Sequence, residues 1–485
     1  MKDKKKTQVN RREFLKKCTG VAGGLALWNY AAAAGGPVLS GRTVEVRLGA
    51  GKRQPNVILC MCDDLGWGDT GYNGHSVLKT PNLDNMAASG IRFDRWYSGA
   101  PVCSPTRGSC ITGRHPYRYG VFTANAGHMK QQEITLAEAL KTQGYATGHF
   151  GKWHLGTLTT QVRDSNRGRP GATEHYSPPW DNGFDVCFST EAKVPTWDPM
   201  KSPGSDSFYG TYYWRQDGSY VPIDSPELKG DDSRVIMDQA IPFIRKAAGG
   251  NKPFLAVIWF HTPHKPVVAG PDYKAMYSEH TNGEQNYYGC VTAMDEQVGR
   301  LRSELRSLGI ARNTMLWFSS DNGPENGTPG VTGGFRERKR SLYEGGVRVP
   351  GLLEWPARIK TPKVVQMPCC TSDYFPTVME VLGFKIKGQP EPIDGVSLVP
   401  LIEGKMTERP MPIGFESGSR KSLTDNRYKL ISTDGGATFE LYDLIDDPYE
   451  KADIAAGRPD IVNSMKATLA DWEDSCDNSL AGNDY

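Results

Sequence analysis

The sequence predicts an α/β protein built on a mostly parallel sheet with helices on both faces. Three apolar runs of strand length, residues 56–62, 254–260 and 314–320, show no polar alternation. Such runs are expected of strands buried on both faces. Segments of helical periodicity separate them, as the crossovers of parallel strands require. Each run also stops abruptly in polar residues. In an open parallel sheet, ligands bind beyond the carboxyl ends of the strands.

Taken in order, the first run is Asn56-Val-Ile-Leu-Cys-Met-Cys62. A helix is expected over residues 81–89, opened by Pro81 and stopped at Gly90. A second is expected over 135–143, where Thr135 and Glu138 have the spacing of a capping box. Helical periodicity over 288–308 leads into the third run. After about residue 368 the character changes to short strand-like pieces, 427–431 and 439–442, and a terminal helix over 460–474. The expected organisation is therefore an N-terminal segment over 1–34, a main α/β domain over 55–368, and a smaller α+β subdomain over 369–485. There are no internal repeats.

Net charge is +2 over 485 residues. Residues 1–34 hold eight Lys or Arg against two acids, a local +6 that leaves −4 for the rest. A mildly acidic body argues against nucleic-acid binding. Asn10-Arg11-Arg12-Glu13-Phe14-Leu15-Lys16 resembles a twin-arginine export signal, followed by a weakly apolar stretch and the run Ala31 to Ala34. That stretch is too short for a stable membrane anchor. The expected location is periplasmic or secreted, with the twin-arginine machinery as a partner. Ten cysteines in so long a chain do not make a disulfide scaffold, and no paired zinc spacing occurs.

The strand ends carry the chemistry. The first run meets Asp63-Asp64 and the third meets Asp321-Asn322-Gly323. Three carboxylates and an amide at neighbouring strand ends suit one hard divalent cation, although each pair taken alone is also ordinary turn chemistry. The second run ends in His261-Thr-Pro-His264-Lys265-Pro266, which holds candidate proton donors between prolines. Cys103-Ser104-Pro105-Thr106-Arg107 is expected in a loop. As a plain thiol beside Arg107, Cys103 reads either as an activated nucleophile or as a small buried residue. Trp197, Phe208, Tyr209, Tyr212, Tyr213 and Trp214 cluster in a Gly/Pro-rich segment. They would stack on sugar rings or, the more economical reading, pack on one another.

Cys103-x-Pro-x-Arg107 continues to Thr112-Gly113-Arg114, and this run resembles the maturation signature of the type I sulfatases. Gly144-Tyr145-Ala146-Thr147 followed by Gly151-Lys152-Trp153-His154 is similar to the second signature of that family. Lys339 to Pro350 resembles its Lys-x-x-x-Tyr-Glu-Gly-Gly block. The resemblance extends from Pro55 to about Trp472. It implies the alkaline-phosphatase-like fold and hydrolysis of sulfate esters, and it implies that a separate maturation enzyme oxidises Cys103 to formylglycine.

Carried over residue by residue, the resemblance implies that Asp63, Asp64, Asp321, Asn322 and oxidised Cys103 bind one calcium ion rather than magnesium. Arg107 would hold the formylglycine hydrate, and Lys152 and Lys339 the sulfate oxygens. His154 would accept a proton, and His264 would face the leaving oxygen. Arg340 competes with Lys339 for its place. His261 and Lys265 remain outside the catalytic set. Export together with these signatures points to a sulfated polysaccharide or its oligosaccharides. The rival readings are a phosphatase or phosphonate hydrolase of the same superfamily, and a non-catalytic protein that binds sulfated glycans.

Overall fold

In the computed structural model, which describes residues 54–485, the three apolar runs form adjacent strands at the centre of a nine-stranded sheet. Its strands in chain order are β1 (Asn56–Cys62), β2 (Ile91–Phe93), β3 (Ala146–Lys152), β4 (Val186–Thr190), β5 (Trp214–Arg215), β6 (Phe254–Trp259), β7 (Thr314–Ser320), β8 (Gly351–Glu354) and β9 (Lys363–Val365). The order across the sheet is β9-β2-β8-β7-β1-β6-β3-β4-β5. The five strands from β7 to β4 pair in parallel. Antiparallel pairing enters where β8 meets β7 and β2, and where β5 meets β4.

Every residue of β1, β6 and β7 is buried. One side of these strands, including Ile58, Cys60, Ile258 and Phe318, shares a core with the helices α1 (Pro81–Ser89), α4 (Asp232–Gly249) and α5 (Asn282–Ser307). On the other side Trp317 packs against Trp96 and against Tyr374 of α6 (Tyr374–Leu382). Cover on both faces removes any reason for polar alternation, which is why the strands read as plain apolar runs.

α1 spans the expected residues, and Thr135 and Glu138 make the expected capping box on α3 (Leu136–Lys141). α5 begins six residues earlier than its periodicity suggested, because Thr281 and Glu284 form another capping box there. Cys103 is not in a loop. It is the first residue of α2 (Cys103–Thr112), after the extended Val102, and Gly113 in the left-handed region ends the helix. Pro105 obscured this helix, but in a first turn its missing N–H would have had no partner anyway. β3 was also missed, because Gly148, Gly151, His149 and Lys152 break its apolar run while the strand lies buried between β6 and β4.

Towards the C-terminus a second sheet of four antiparallel strands is formed by β10 (Ile413–Ser417), β11 (Arg420–Thr424), β12 (Tyr428–Ser432) and β13 (Glu440–Asp443). Leu423, Leu430 and Leu441 pack on Met465 and Leu469 of the terminal helix α7 (Pro459–Leu480). The two expected strand pieces and the helix are present, with two further strands and a longer helix. Arg118 hydrogen-bonds the Ser475 carbonyl and the Ser479 hydroxyl, fixing the extra turns of α7. Residues 371–382, on the C-terminal side of the expected changeover, carry α6 and pack on the main sheet. The expected export segment and Cys18 lie outside the described residues. No described helix is long and apolar enough to cross a membrane. The nine described cysteines are all buried and free.

Arg409 ties the approach to the second sheet onto the start of α6. It donates to both oxygens of Asp373, at 2.7 and 2.9 Å, with both side chains buried. Asp373 also accepts from the backbone N–H groups of Cys370 and Val396. Removing the guanidinium strands a buried carboxylate. Arg409→Ala should therefore destabilise the fold by about 3–5 kcal/mol, seen as a lower urea midpoint. An unchanged midpoint would contradict this reading of the pair.

Candidate active site

Asp63 and Asp64 follow β1 directly, and Asp321 and Asn322 follow its neighbour β7. Strand pairing therefore delivers all four side chains to one place. Asp64 has φ 69°, and its N–H donates to Asp321 Oδ1 at 3.1 Å. Asp63 and Asp321 are fully buried, as are Asn322 and, within 1% exposure, Asp64. Three carboxylates in so little solvent require compensating charge.

Three basic side chains supply it. Lys152, the last residue of β3, places its ammonium 2.6 Å from Asp63 Oδ2. Arg107 lies one helical turn after Cys103 on α2 and is fully buried. It donates to Asp321 Oδ2 at 2.6 Å and to the Lys152 carbonyl at 3.0 Å. Lys339 reaches Asp64 Oδ1 at 2.5 Å. The segment carrying Lys339 folds back on itself and onto the end of β7, where Gly323 donates to the Gly346 carbonyl at 2.9 Å. A Cβ on Gly323 would stand 1.9 Å from the Gly345 carbonyl oxygen, so only glycine allows that approach. Arg340, the competitor, turns outward and pairs with Glu325.

Burial raises the Cys103 thiol above its ordinary range, although Lys152 and Lys339 pull the other way. An unmodified Cys103 is thus a protonated thiol and a poor nucleophile, unlike a cysteine-hydrolase thiolate. Asp63 stays ionised despite burial, because the charges of Lys152 and Arg107 outweigh it. Burial and the Asp63 charge push Asp321 up, against Arg107. Burial works against the Lys339 ammonium, but Asp64 keeps it charged.

The two candidate histidines present opposite faces to this cluster. His154, at φ 58°, shares the Nε2 proton with Asn125 Oδ1 at 2.6 Å, and Asn125 Oδ1 also accepts from Asn166. That fixes the proton on Nε2 and leaves Nδ1 buried and without a partner. Burial and the neighbouring Lys152 hold this imidazole neutral, far below the usual histidine range. His264 donates from Nδ1 to the Lys265 carbonyl at 2.6 Å, and its Nε2 stands 3.7 Å from Asp64 Oδ2. Burial draws it down to about 4.

The cluster fits a hard cation. Asp63 Oδ1, Asp64 Oδ2 and Asn322 Oδ1 are buried oxygens with no hydrogen-bond partner. Ligand atoms of Asp63, Cys103 and Asp321 lie within 4.8 Å of one another, and so do those of Asp63, Asp64 and His264. Unsatisfied buried oxygens are costly unless something positive faces them. His264 Nε2 thus stands close enough to be a ligand, which sequence position alone did not suggest. Asn125 was also missed, since a lone Asn in a Gly/Thr-rich turn carries no chemical signature.

Of the residues left outside the catalytic set, His261 is fully buried between Asp232 at 2.7 Å and Thr190 at 2.8 Å. Lys265 is exposed and binds the Asn326 carbonyl. Phe208, Tyr212, Trp214 and Tyr220 meet one another in tilted and edge-on contacts, and Tyr213 is buried and stacked on Phe188. The aromatic segment therefore packs largely on itself.

Comparison with known proteins gives the same assignment. The chain matches the Sulfatase family over residues 55–384 and the family described as N-sulphoglucosamine sulphohydrolase, C-terminal, over 333–475. It is 32% identical over 406 residues to N-acetylgalactosamine-6-sulfatase of Mus musculus, covering 79% of this chain and 73% of that one. It is 30% identical over 420 residues to steryl-sulfatase of Homo sapiens, covering 73% and 70%. The crystal structure of Ps i-CgsB in complex with k-i-k-neocarrahexaose superposes with a TM-score of 0.75 at 25% identity, covering 86% of this chain and 92% of that one. The chain belongs to the type I sulfatase family of the alkaline-phosphatase-like superfamily, and it is a sulfuric ester hydrolase.

Proposed function

We propose that this enzyme removes sulfate from a sulfated polysaccharide or an oligosaccharide derived from it, using formylglycine made from Cys103 and one bound calcium ion. The observation that carries the reading is the set of three partnerless oxygens, on Asp63, Asp64 and Asn322, in a cluster where Asp63 and Asp321 also lie beside Cys103. All are oxygen donors, which suits calcium better than a softer metal. The set supplies ligands for one cation, where phosphatases of this superfamily usually hold two.

A formylglycine hydrate beside a divalent cation supplies two hydroxyls on one carbon, one to attack sulfur and one whose deprotonation releases the sulfate. The remaining roles belong to the chain's own side chains. Lys152 and Lys339, both buried, bring two ammonium groups to the sulfate oxygens where little water screens their charge. Arg107, locked onto Asp321 and the Lys152 carbonyl, holds the first turn of α2 and so the position of residue 103. His154 Nδ1, with its lone pair free, accepts the proton. His264 and Lys339 flank the position of the departing alcohol. Lys339 carries its proton at neutral pH, and His264 does not.

The carbohydrate reading draws on relatives whose names specify an N-acetylgalactosamine sulfate, and on a similar structure holding a carrageenan-type saccharide. The N-terminal arginine pair supports twin-arginine export to the periplasm or beyond. A maturation enzyme is the further partner this chemistry requires.

Cys103→Ala should lower the turnover of sulfated saccharides by roughly 10³-fold or more without loss of folding, and mass spectrometry of the native peptide should find an aldehyde at position 103. Near-normal turnover in the variant, or a thiol in fully active enzyme, would refute the mechanism. Chelation should abolish sulfate release, with calcium restoring it. Asp321→Asn should raise the calcium concentration for half-recovery by about tenfold or more, since it removes one ligand charge. Full activity after exhaustive chelation would rule the ion out. Faster cleavage of aryl phosphate than of aryl sulfate would favour the phosphatase alternative.

A further inference from the structure

Lys193 stands three residues beyond β4, at the carboxyl end of the sheet. Its segment is pinned on both sides to the catalytic loops. Upstream, the Trp153 and His154 N–H groups donate to the carbonyls of Thr190 and Glu191 at 2.9 Å each. Downstream, the Thr196 N–H donates to the Pro266 carbonyl, just past His264. Lys193 is therefore held between the loop carrying Lys152 and His154 and the loop carrying His264. Ala192 and Val194 on either side are buried, whereas Lys193 is only half-buried. Their side chains are taken up by the core, and that of Lys193 stays partly in solvent.

Among the described residues no other cation around the site is left like this. Lys152, Lys339 and Arg107 each rest on a carboxylate, and Arg167 rests on Glu191. Lys193 makes no hydrogen bond or ion pair with any described residue. The backbone bonds of its segment put Lys193 on the rim of the cluster that holds Lys152, Asp63, Lys339 and Asp64, whose charges reach its ammonium. Burial and the nearby Lys152 lower its affinity for a proton, as expected of a cation held without a partner among other cations. None of the signature residues includes it.

We propose that Lys193 forms a second anion subsite beside the sulfate pocket, selecting sugars that carry another oxyanion next to the scissile ester. The oxyanion would be a second sulfate or a uronate carboxylate. A half-buried ammonium without a carboxylate of its own gains most from an incoming anion, because no internal ion pair has to break. The inference rests on the carbohydrate reading above.

The test compares the mature, calcium-loaded enzyme with its Lys193→Ala and Lys193→Arg variants on three related disaccharides. One carries a single sulfate, one a second sulfate, and one a single sulfate with a uronate. For at least one doubly charged substrate, wild type should exceed the singly charged reference in kcat/KM. Lys193→Ala should cut that ratio by about tenfold or more, through KM, with Lys193→Arg retaining most of it. The substrate whose preference falls identifies the oxyanion. If the ratio is the same in wild type and Lys193→Ala, the assignment is overturned, whether activity falls on all three substrates or on none. A wild type that turns over an aryl sulfate but none of the saccharides overturns the carbohydrate reading and the Lys193 proposal with it.

Discussion

Everything around the site answers to one electrostatic constraint. Two neighbouring parallel strands end in acids, and their pairing forces Asp63, Asp64 and Asp321 into a buried space a few ångströms across. Like charges so placed would drive the sheet apart or take up protons. The fold balances them with Arg107 from α2, Lys152 from β3 and Lys339 from the segment backed onto β7. Each cation comes from a different element. The sheet, the helix and the fold-back must therefore all be in place before the acids are neutralised, and site assembly is coupled to folding. Oxygen atoms still lacking partners remain in the centre, and they give the cluster its affinity for a positive ion.

The same arrangement explains why these side chains suit sulfate chemistry. A sulfate monoester brings a single negative charge and a leaving alkoxide that becomes more negative as the S–O bond stretches. Fixed ammonium groups in a dry pocket respond to that growing charge without reorganising. In the proposed mechanism the hydrogen bonds of the two histidines decide which nitrogen each presents. Asn125 gives His154 a free Nδ1, and the Lys265 carbonyl gives His264 a free Nε2. A shift of either partner would put the wrong nitrogen forward, so these two contacts set the tautomers on which proton transfer depends.

Much of this was legible in the sequence because several signals are local. Plain apolar runs announced β1, β6 and β7, and the polar residues after them announced the site. Thr135 with Glu138, and Pro81 with Gly90, marked helix ends by capping chemistry. What escaped depended on tertiary context. β3 carries glycines, a histidine and a lysine that only burial between two strands makes tolerable. Pro105 hid the helix that begins at Cys103. Thr281 with Glu284 marks the start of α5 as clearly as the earlier capping box, but the apolar periodicity sets in only some residues later. Asn125 and Lys193 matter through where the chain places them, and neither residue type in its local sequence reveals that.

The seating of Cys103 has a consequence for when the protein can be made active. Its side chain is 2% exposed, on the first turn of a helix that Arg107 anchors to Asp321 and to the end of β3. Another enzyme's catalytic groups could not reach that sulfur across the finished wall. The proposed oxidation of this position would therefore have to come early in the life of the chain, while the segment is still extended and before the sheet closes over it. On that proposal the order of events, modification and then folding, follows from the burial of a single atom.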